Sequence, residues 1–336
     1  MRPNNFDLAR LILASIVVFF HCGALSHVPA LAWMAQLDSE AAVEGFFAIS
    51  GCLIFASWER SPSLRDYTVK RARRILPAYW ATTGLCLAIA FVLFHSFHVG
   101  KFLVANVTFL NFLKPGIDGV FDHNPENDAM DGSLWTIRIE LCFYLVVPVA
   151  VWLCRKLGRD RFLVTTAIVS IFYRYVMEGR FLLHTRHASL AVALPGQWSL
   201  FAGGALIYYH LDWFRKNGKW LVGPALALYV ATFFTDIYVL RPLSIPILVL
   251  GFCFLAPEIK GPTRWGDFSY GTYLLHWPII QTLVAFGLFA RWPYPMVGVA
   301  VTLVALAATL SWFFVEKPSL GRSKARPAVA VKQAAA

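Results

Sequence analysis

The sequence predicts an all-α, polytopic membrane helical bundle of about ten transmembrane helices with both termini cytoplasmic. Of the 336 residues, 58% are hydrophobic and only 15% are charged, whereas about 25% are charged in typical soluble domains. Apolar runs long enough to cross a bilayer recur along almost the whole chain. Lysine and arginine are concentrated in alternate loops between these runs, as they are in multi-spanning membrane proteins.

The apolar runs define ten segments of suitable length. They lie at about 8–25, 43–58, 75–95, 133–154, 162–178, 189–211, 220–236, 243–257, 268–288 and 297–315. A shorter run, 101–113, adjoins a polar loop and is predicted to be interfacial or re-entrant, with an eleventh span as the alternative. Residues 1–318 form one predicted transmembrane domain, and 319–336 a disordered basic cytoplasmic tail. A cleaved signal peptide is the less favoured interpretation of the first run, because such a segment needs no buried histidine.

Orientation follows from the distribution of the basic residues. One set of loops holds 21 lysines and arginines and the alternate set holds 6, so the first set is predicted to be cytoplasmic. The net charge of +11 therefore reports topology, and nucleic acid is not an expected partner. The expected location is the cytoplasmic (inner) membrane of a bacterium. The six cysteines lie within apolar runs without CxxC spacing, so they are predicted to be buried rather than disulfide-bonded or metal-binding.

Two ionisable residues share one face of the first predicted helix. Arg10 and His21 are eleven positions apart, which is about 20° past three full turns and a rise of roughly 16 Å. Arg10 lies at the cytoplasmic edge, where a snorkelling anchor is its ordinary role. His21 lies in the outer half of the membrane, where ionisable groups usually have a function, although a structural hydrogen bond across helices is the alternative.

Counting from the helix ends places Glu44, Glu140 and Arg174 at nearly the same depth as His21. Isolated charges at that depth are costly, so these four side chains are predicted to face each other or a polar cavity. A histidine beside a carboxylate can act as a general base, because the carboxylate fixes its tautomer and stabilises the imidazolium. The catalytic candidates are therefore His21, Glu140 and Glu44.

The cytoplasmic side carries a second candidate site. The stretch KRARRILP (70–77) brings Arg71 and Arg74 next to the third span; ordinary positive-inside charge explains it equally well. Together with Arg10 these arginines would form a clamp for an anionic cofactor, since guanidinium groups bind phosphates in a bidentate way. A phosphate-bearing head at this face and a reactive end roughly 16 Å deeper at His21 match the shape of an acyl-CoA.

The chain resembles the acyltransferase 3 family of integral-membrane O-acyltransferases over nearly its whole length. Six motifs in order carry the resemblance, although each alone is weak. They are Arg10 with His21, GFFAISGCLI (45–54), RARRILPAYW (71–80), GSLWTIRIELCFYLVVP (132–148), FSYGTYLLHWPII (268–280) and FVEKP (314–318).

The resemblance implies transfer of an acyl group, most often acetyl, from cytoplasmic acyl-CoA to a hydroxyl of a glycan or glycolipid, as in exopolysaccharide or lipopolysaccharide modification. The family's essential Arg and His fall on Arg10 and His21, its cytoplasmic Arg pair on 71 and 74, and its Glu on Glu140. Two positions depart from the family pattern. Leu141 stands where a second Glu is common, so that carboxylate is absent, and Glu44 stands where an Asp is common, which keeps the charge.

Two further cofactor-binding candidates have equally plausible structural roles. Ser50 could face the cofactor, although the Ser50–Gly51 pair most simply permits close helix packing. Counting from Asp267 places His276 in the inner half of the membrane, where it could line the CoA channel or bond a helix backbone. No metal is predicted. The acidic outer loop at about 114–132 is ordinarily a solvated loop and could also shape a polar acceptor site.

Several functional alternatives remain at this level. A transporter could use the buried His, Glu and Arg side chains as a relay, although paired broken helices in an inverted repeat are not visible. An inert assembly subunit would not need buried charges. Within enzymes, the acceptor could be the hydroxyl of a lipid or small molecule. Some family members have a fused esterase-like domain; none is expected here, so polysaccharide-biosynthesis proteins are expected partners for any second transfer step.

Overall fold

The computed structural model describes residues 4–60, 63–126, 129–179, 188–235, 237–259 and 261–321. These residues contain no β-strand, only an isolated bridge between Gly116 and Ala129. The helices are α1 (Phe6–Ser26), α2 (Ser39–Arg60), α3 (Leu64–Leu93), α4 (Gly100–Val107), α5 (Leu134–Leu157), α6 (Arg159–Met177), α7 (Ala188–Ala191), α8 (Leu194–Tyr209), α9 (Leu211–Asn217), α10 (Lys219–Ala231), α11 (Leu240–Leu255), α12 (Ser269–Ala285), α13 (Leu288–Arg291), α14 (Pro293–Ser311) and α15 (Lys317–Ser319). The all-α prediction is confirmed.

A helix lies at each of the ten segments predicted to cross the membrane. Within the described residues, six helices are both long and apolar enough to do so. They are Phe6–Ser26, Ser39–Arg60, Leu64–Leu93, Leu134–Leu157, Ser189–Tyr209 and Pro293–Ser319. The other four, α6, α10, α11 and α12, have 13 to 19 residues. The multi-pass membrane fold is therefore supported, and the count of ten spans stays a prediction.

Helices α1 and α12 run side by side in the same direction. Near the start of α1, Arg10 Nη1 lies 2.9 Å from Asp267 Oδ2, just before α12 begins. Further along both helices, His21 Nδ1 lies 2.9 Å from His276 Nε2. Because both residue numbers rise from the first contact to the second, the two helices are parallel. We call the end of the bundle at Arg10 the lower face and the end beyond His21 the upper face.

Glycines let α2 and α8 pack backbone against backbone. A Cβ atom at Gly51 would overlap the carbonyl oxygen of Phe201, and a Cβ atom at Gly204 would overlap that of Ala48. Small residues commonly permit such close approach in membranes, where helices associate through packing and hydrogen bonds rather than the hydrophobic effect. The register of α8 against α2 is therefore narrowly determined, and both helices contribute side chains to the site described below.

The short segment at 101–113 forms α4 and a 3₁₀ turn at Asn111–Leu113. The eight residues of α4 rise roughly 12 Å, less than half the thickness of a hydrocarbon core. This length favours the interfacial or re-entrant interpretation over an eleventh span. At the other end of the chain, most of the predicted tail, 322–336, lies outside the described residues.

Candidate active site

A cavity near the lower face brings together most of the predicted cofactor-binding residues. It encloses about 110 Å³ of water-accessible space. Its walls include Arg10 of α1, Ser50 of α2, Arg71 and Arg74 of α3, and Glu140 of α5. Three arginines from two helices far apart in sequence thus converge on one space, which we call the lower cavity.

Asp267 neutralises part of this positive charge. Its carboxylate accepts a hydrogen bond from Arg74 and lies 2.9 Å from Arg10 Nη1. Burial alone would raise the pKa of Asp267, but Arg10, Arg74 and the hydroxyl of Ser269 outweigh it and hold that pKa well below its usual range. Asp7 also contacts Arg10 at 2.6 Å. Asp267 is therefore a fixed anion that holds two guanidinium groups at the cavity wall.

The third arginine has fewer ionic contacts. Arg71 donates a hydrogen bond to Ser57 Oγ at 3.2 Å and lies over the rings of Tyr67 and Tyr144, with its guanidinium carbon 5.9 and 5.6 Å from their centroids. Within the described structure, the buried Nε atoms of Arg71 and Arg10 have no hydrogen-bond partner. Unpaired buried donors are costly, so the cavity is suited to an anionic ligand that would accept from them.

A second cavity lies above the first and contains His21. It has about 260 Å³ of water-accessible space, and we call it the upper cavity. Its lining combines a histidine, a carboxylate, an amide, two hydroxyls and two indole rings, from His21, Glu40, Gln197, Ser39, Ser133, Trp135 and Trp277. The side chain of Glu40 is 47% exposed, so the carboxylate at this end of the cavity reaches solvent.

Val43 and Tyr273 line both cavities. The hydroxyl of Tyr273 is hydrogen-bonded to Thr136 Oγ1 at 3.0 Å, and both residues are buried. The two cavities are thus neighbours separated by a thin wall of side chains, with the arginines on one side and His21 on the other.

The tautomers of the two histidines follow from their partners. His276 Nδ1 lies 2.6 Å from the carbonyl oxygen of Tyr273, which can only accept, so Nδ1 carries the proton. In a neutral ring, Nε2 of His276 is then an acceptor, and its partner at 2.9 Å, His21 Nδ1, must donate to it. The backbone of Val17 also hydrogen-bonds to the His21 ring, and with Nδ1 protonated the lone pair of His21 is on Nε2. His276 thus does for His21 what a carboxylate was predicted to do.

His276 lies at a different level in the bundle from the one predicted. Counting from Asp267 put this histidine in the inner half of the membrane, but its ring lies against His21 at the level of the upper cavity. The count failed because Asp267 is buried level with Arg10, above the start of α1, and so is not the lower end from which the level of His276 should be counted. The bond from His276 to a helix backbone, one of the two roles considered for it, is present, and the residue is not among those lining the lower cavity.

Glu140 also lies at a different level from the one predicted. It accepts a hydrogen bond from the hydroxyl of Tyr144 at 2.5 Å and lines the lower cavity. Helix α5 descends from the upper face, so Glu140 is one turn below Thr136, which bonds Tyr273 at the wall between the cavities. Within the described part of the chain, no hydrogen bond or ion pair joins His21 to Glu140 or to another carboxylate.

Glu44 and Arg174 do meet, as their predicted depths suggested. Glu44 Oε1 lies 3.4 Å from Arg174 Nη1, and both residues are almost fully buried. Glu44 Oε2 lies 2.7 Å from Nε of Arg241, which also binds Asp38 at 2.9 Å. Arg174 in turn donates to Glu40, which borders the upper cavity. The network ties α2, α6 and α11 together near the upper face.

Replacing Glu44 with glutamine should lower the melting temperature of the detergent-solubilised protein strongly. The change leaves Arg174 and Arg241 short of one buried negative charge, and breaking a buried ion pair costs about 3–5 kcal/mol. Differential scanning fluorimetry would measure it. The control is Glu126→Gln, whose carboxylate makes an exposed contact with His27 and should matter little. A Glu44→Gln protein that melts like wild type but transfers no acyl group would instead give Glu44 a role in the reaction.

One acid of the outer loop reaches the upper cavity region, while others are solvated. Asp118 pairs with Lys114, and the hydrogen bonds and charge of Lys114 lower the pKa of Asp118. Asp131 is buried, and burial raises its pKa to about 7 even though Ser133 donates two hydrogen bonds to it. Because Ser133 lines the upper cavity, Asp131 shapes that wall. Asp128 of the same loop lies outside the described residues.

Four polar residues around the site were not singled out from the sequence. Gln197 is a single amide inside an apolar run, LPGQWSLFAG (194–203), and such residues in spans are functional candidates. Tyr273 and Asp267 lie within or next to a recognisable motif but only the fold brings them to the arginines and His21. Arg241 falls between the predicted spans 220–236 and 243–257, which makes it a loop charge in the sequence, whereas the structure places it in the first turn of α11.

All six cysteines are free. Five of them are buried as predicted, and Cys142 is half-buried. Among the described residues no group of three or more His, Cys, Asp or Glu side chains could hold a metal ion together.

These features define a class of protein: a multi-pass membrane helical bundle with a basic cavity and a histidine-bearing cavity side by side within it. The acyltransferase domain profile of the acyltransferase 3 family matches residues 4–315. The chain therefore belongs to this family, as its motifs predicted, and it is an acyltransferase. Membership favours an enzyme over the transporter and the inert subunit considered from the sequence.

Three curated proteins are similar over most of their length. The chain is 29% identical to an "O-acetyl transferase" of Shigella phage Sf6, over 96% of the chain and 97% of that protein. It is 28% identical to "Nodulation protein 10" of Rhizobium leguminosarum bv. viciae, over 94% and 93%. It is 27% identical to "Exopolysaccharide production protein ExoZ" of Rhizobium meliloti strain 1021, over 85% and 91%. No solved structure matches the chain significantly.

Proposed function

We propose that this acyltransferase moves an acyl group, with acetyl the expected one, from cytoplasmic acyl-CoA to a hydroxyl of a glycan or glycolipid at the membrane. The printed names of two relatives, an O-acetyl transferase and an exopolysaccharide production protein, support O-acetylation of a polysaccharide. Acylation of a lipid or small-molecule hydroxyl is the alternative acceptor class. The expected partners are the lipid bilayer, the glycan acceptor and proteins of polysaccharide biosynthesis.

The proposed topology has ten spans in a bacterial inner membrane, with the lower face cytoplasmic. The 21-to-6 distribution of lysine and arginine between the two sets of loops supports it. In this orientation the lower cavity opens on the side where acyl-CoA is made.

Topology reporters would check this arrangement. A cytoplasm-active reporter fused after Ala336 should be active, and a periplasm-active one should not, because an even number of spans returns the chain to its starting side. Fusions after Gly179 and after Asn217 should report opposite sides, since one predicted span separates them. Periplasmic activity at Ala336 would contradict the ten-span topology.

The observation that carries the proposal is the shared wall of the two cavities at Val43 and Tyr273. Phosphates held by Arg10, Arg71 and Arg74 would leave the pantetheine arm to pass this wall. The thioester would then reach His21, roughly 16 Å above Arg10 along α1. Ser50 and Glu140 line the same lower cavity and are proposed to contact the donor there. A modest opening at Tyr273 is required for passage.

The proposed chemistry uses His21 as a general base. Its Nε2 takes the proton from the acceptor hydroxyl as the oxygen attacks the thioester carbon. The carbon–sulfur bond breaks, the CoA thiolate leaves, and the proton on His21 passes to it, so the enzyme returns to its starting state. A covalent acyl-His intermediate is the other route, and it would pass through the same nitrogen.

Purified protein in lipid nanodiscs, given radiolabelled acetyl-CoA and de-O-acetylated oligosaccharides from the host's surface polysaccharide, tests the function. The expected result is label on the saccharide with release of one CoA per acyl group. Labelled saccharide that forms from a different acyl donor but never from acetyl-CoA would contradict the donor. CoA release with label on lipid alone would move the assignment to the alternative acceptor.

His276→Phe should lower kcat roughly tenfold or more while leaving acyl-CoA binding unchanged, because His21 loses the acceptor that fixes its tautomer. The pH dependence of kcat distinguishes a role in orienting His21 from a purely structural one. Loss of the hydrogen bond from His21 to His276 should shift the pH at which kcat falls through protonation of His21. His276→Gln offers an amide oxygen in place of Nε2 and should recover part of the rate. Equal loss in both variants with an unshifted profile would reduce His276 to a packing residue.

A further inference from the structure

Gln197 is buried in the upper cavity without a hydrogen-bond partner. The residue is 1% exposed, and within the described structure neither its amide nitrogen nor its amide oxygen has a hydrogen-bond partner. Buried polar groups are almost always hydrogen-bonded, so a buried amide whose nitrogen and oxygen both lack a partner needs an explanation. Gln197 lines the cavity that contains His21, so a ligand in that cavity is the nearest available partner.

The backbone around Gln197 is held in place. A Cβ atom at Gly196 would overlap the carbonyl oxygen of Ala191, so the start of α8 lies directly against the preceding turn. Ser170 Oγ donates to the carbonyl of Pro195 at 2.6 Å and accepts from the backbone N–H of Ser199 at 2.9 Å. With its helix fixed on both sides, the amide cannot leave the cavity without disturbing this packing.

The other walls of the cavity suit a sugar. Trp135 and Trp277 offer ring faces and edges, while Glu40 and Ser133 offer further polar groups. Trp277 is locked, because its indole Nε1–H donates to the carbonyl of Ala129 at 3.1 Å. A saccharide has the matching pattern of apolar C–H faces and adjacent hydroxyls. Phosphates find no arginine or lysine among these lining residues, so the donor head does not fit here.

We propose that Gln197 binds the acceptor, pairing its amide with hydroxyls of the sugar next to the one that His21 deprotonates. This assignment rests on the proposed function and adds a specificity residue to it. A primary amide donates through its NH₂ group and accepts through its oxygen, so it can hold two adjacent hydroxyls at once. A buried amide without a protein partner is expected where a site is built to hydrogen-bond a substrate hydroxyl.

Gln197→Met tests the proposal, because it keeps the length of the side chain and removes both polar atoms. The KM for de-O-acetylated oligosaccharides should rise roughly tenfold or more, while acetyl-CoA affinity and the slow release of CoA without acceptor stay at wild-type values. The melting temperature of the ligand-free protein should be unchanged or higher, because the substitution removes a buried amide that has no hydrogen-bond partner. Gln197→Glu keeps an acceptor but loses the donor, and should raise KM as well.

Gln281→Met is the matched control. Its buried amide is fully engaged, accepting from Asn124 Nδ2 at 2.7 Å and donating to Ala129 at 3.4 Å, so this variant should melt at a lower temperature. An unchanged KM for the oligosaccharide in both folded Gln197 variants would overturn the proposal for Gln197. Acyl transfer by the wild-type protein in the same assay would still support the proposed function. A fall in CoA release without acceptor would also overturn it, because Gln197 would then serve the thioester. Wild-type protein that transfers no acyl group would remove function and assignment together.

Discussion

Replacing His21 with alanine should abolish acyl transfer while leaving expression, membrane insertion and acyl-CoA binding near wild-type values. A hydroxyl is a weak nucleophile at neutral pH, so its proton must be taken as it attacks, and a positioned general base contributes about 10²–10⁴-fold. The loss should be at the upper end of that range. The rings of Phe20 and Trp277, which also contact His21, supply no base, and His276 does not line the upper cavity.

His21→Gln distinguishes loss of the base from loss of a polar side chain, because glutamine is polar but is not a base. This variant should lose acyl transfer to the same extent as His21→Ala. Transfer of label from acetyl-CoA would be measured alongside CoA binding by calorimetry. His210→Gln is the control: this exposed histidine contacts Asp160 and lines neither cavity, so the variant should transfer at the wild-type rate. Near-normal acylation by either His21 variant would make His21 structural and leave the proposed mechanism without a base.

Replacing Arg74 with alanine should weaken acyl-CoA binding roughly 10- to 100-fold, as expected for losing one or more charged hydrogen bonds to phosphate. The effect should fall on binding rather than on the transfer step, because Arg74 lines the lower cavity and not the upper one. Binding of CoA to the protein in nanodiscs would measure it. The affinity should also drop with added salt in wild type more than in the variant.

Two variants separate charge from geometry at this position. Arg74→Lys keeps the positive charge but loses the planar guanidinium group that can make two parallel hydrogen bonds, and should bind CoA with intermediate affinity. Arg73→Ala removes the adjacent arginine, which is exposed and outside the cavity lining, and should bind like wild type. Since Arg74 also pairs with Asp267, melting curves must accompany the binding data. Unchanged CoA affinity in correctly folded Arg74→Ala would contradict the clamp.

The class of fold and the line from Arg10 to His21 along one helix face were predictable from the sequence alone. Bilayer thickness demands long apolar runs, and such runs are visible without knowing which helices touch. The shared face of Arg10 and His21 was equally predictable, since helical periodicity is a local property. The clustering of Arg71 and Arg74 with Arg10 followed from the side of the membrane on which loop charges lie, and one cavity does contain all three.

The contacts between these side chains, in contrast, depend on how helices distant in the sequence pack together. Depth counted from helix ends fixes a level along the membrane normal to within about a turn, and it gives neither the direction a side chain faces nor the neighbouring helix. Glu140 therefore met the arginines instead of His21, and Glu44 met Arg241 as well as Arg174. His276 reached His21 because α1 and α12 run parallel, and Gln197 entered the cavity because glycines bring α8 against α2. These are relations between distant segments, set by packing that no local pattern records.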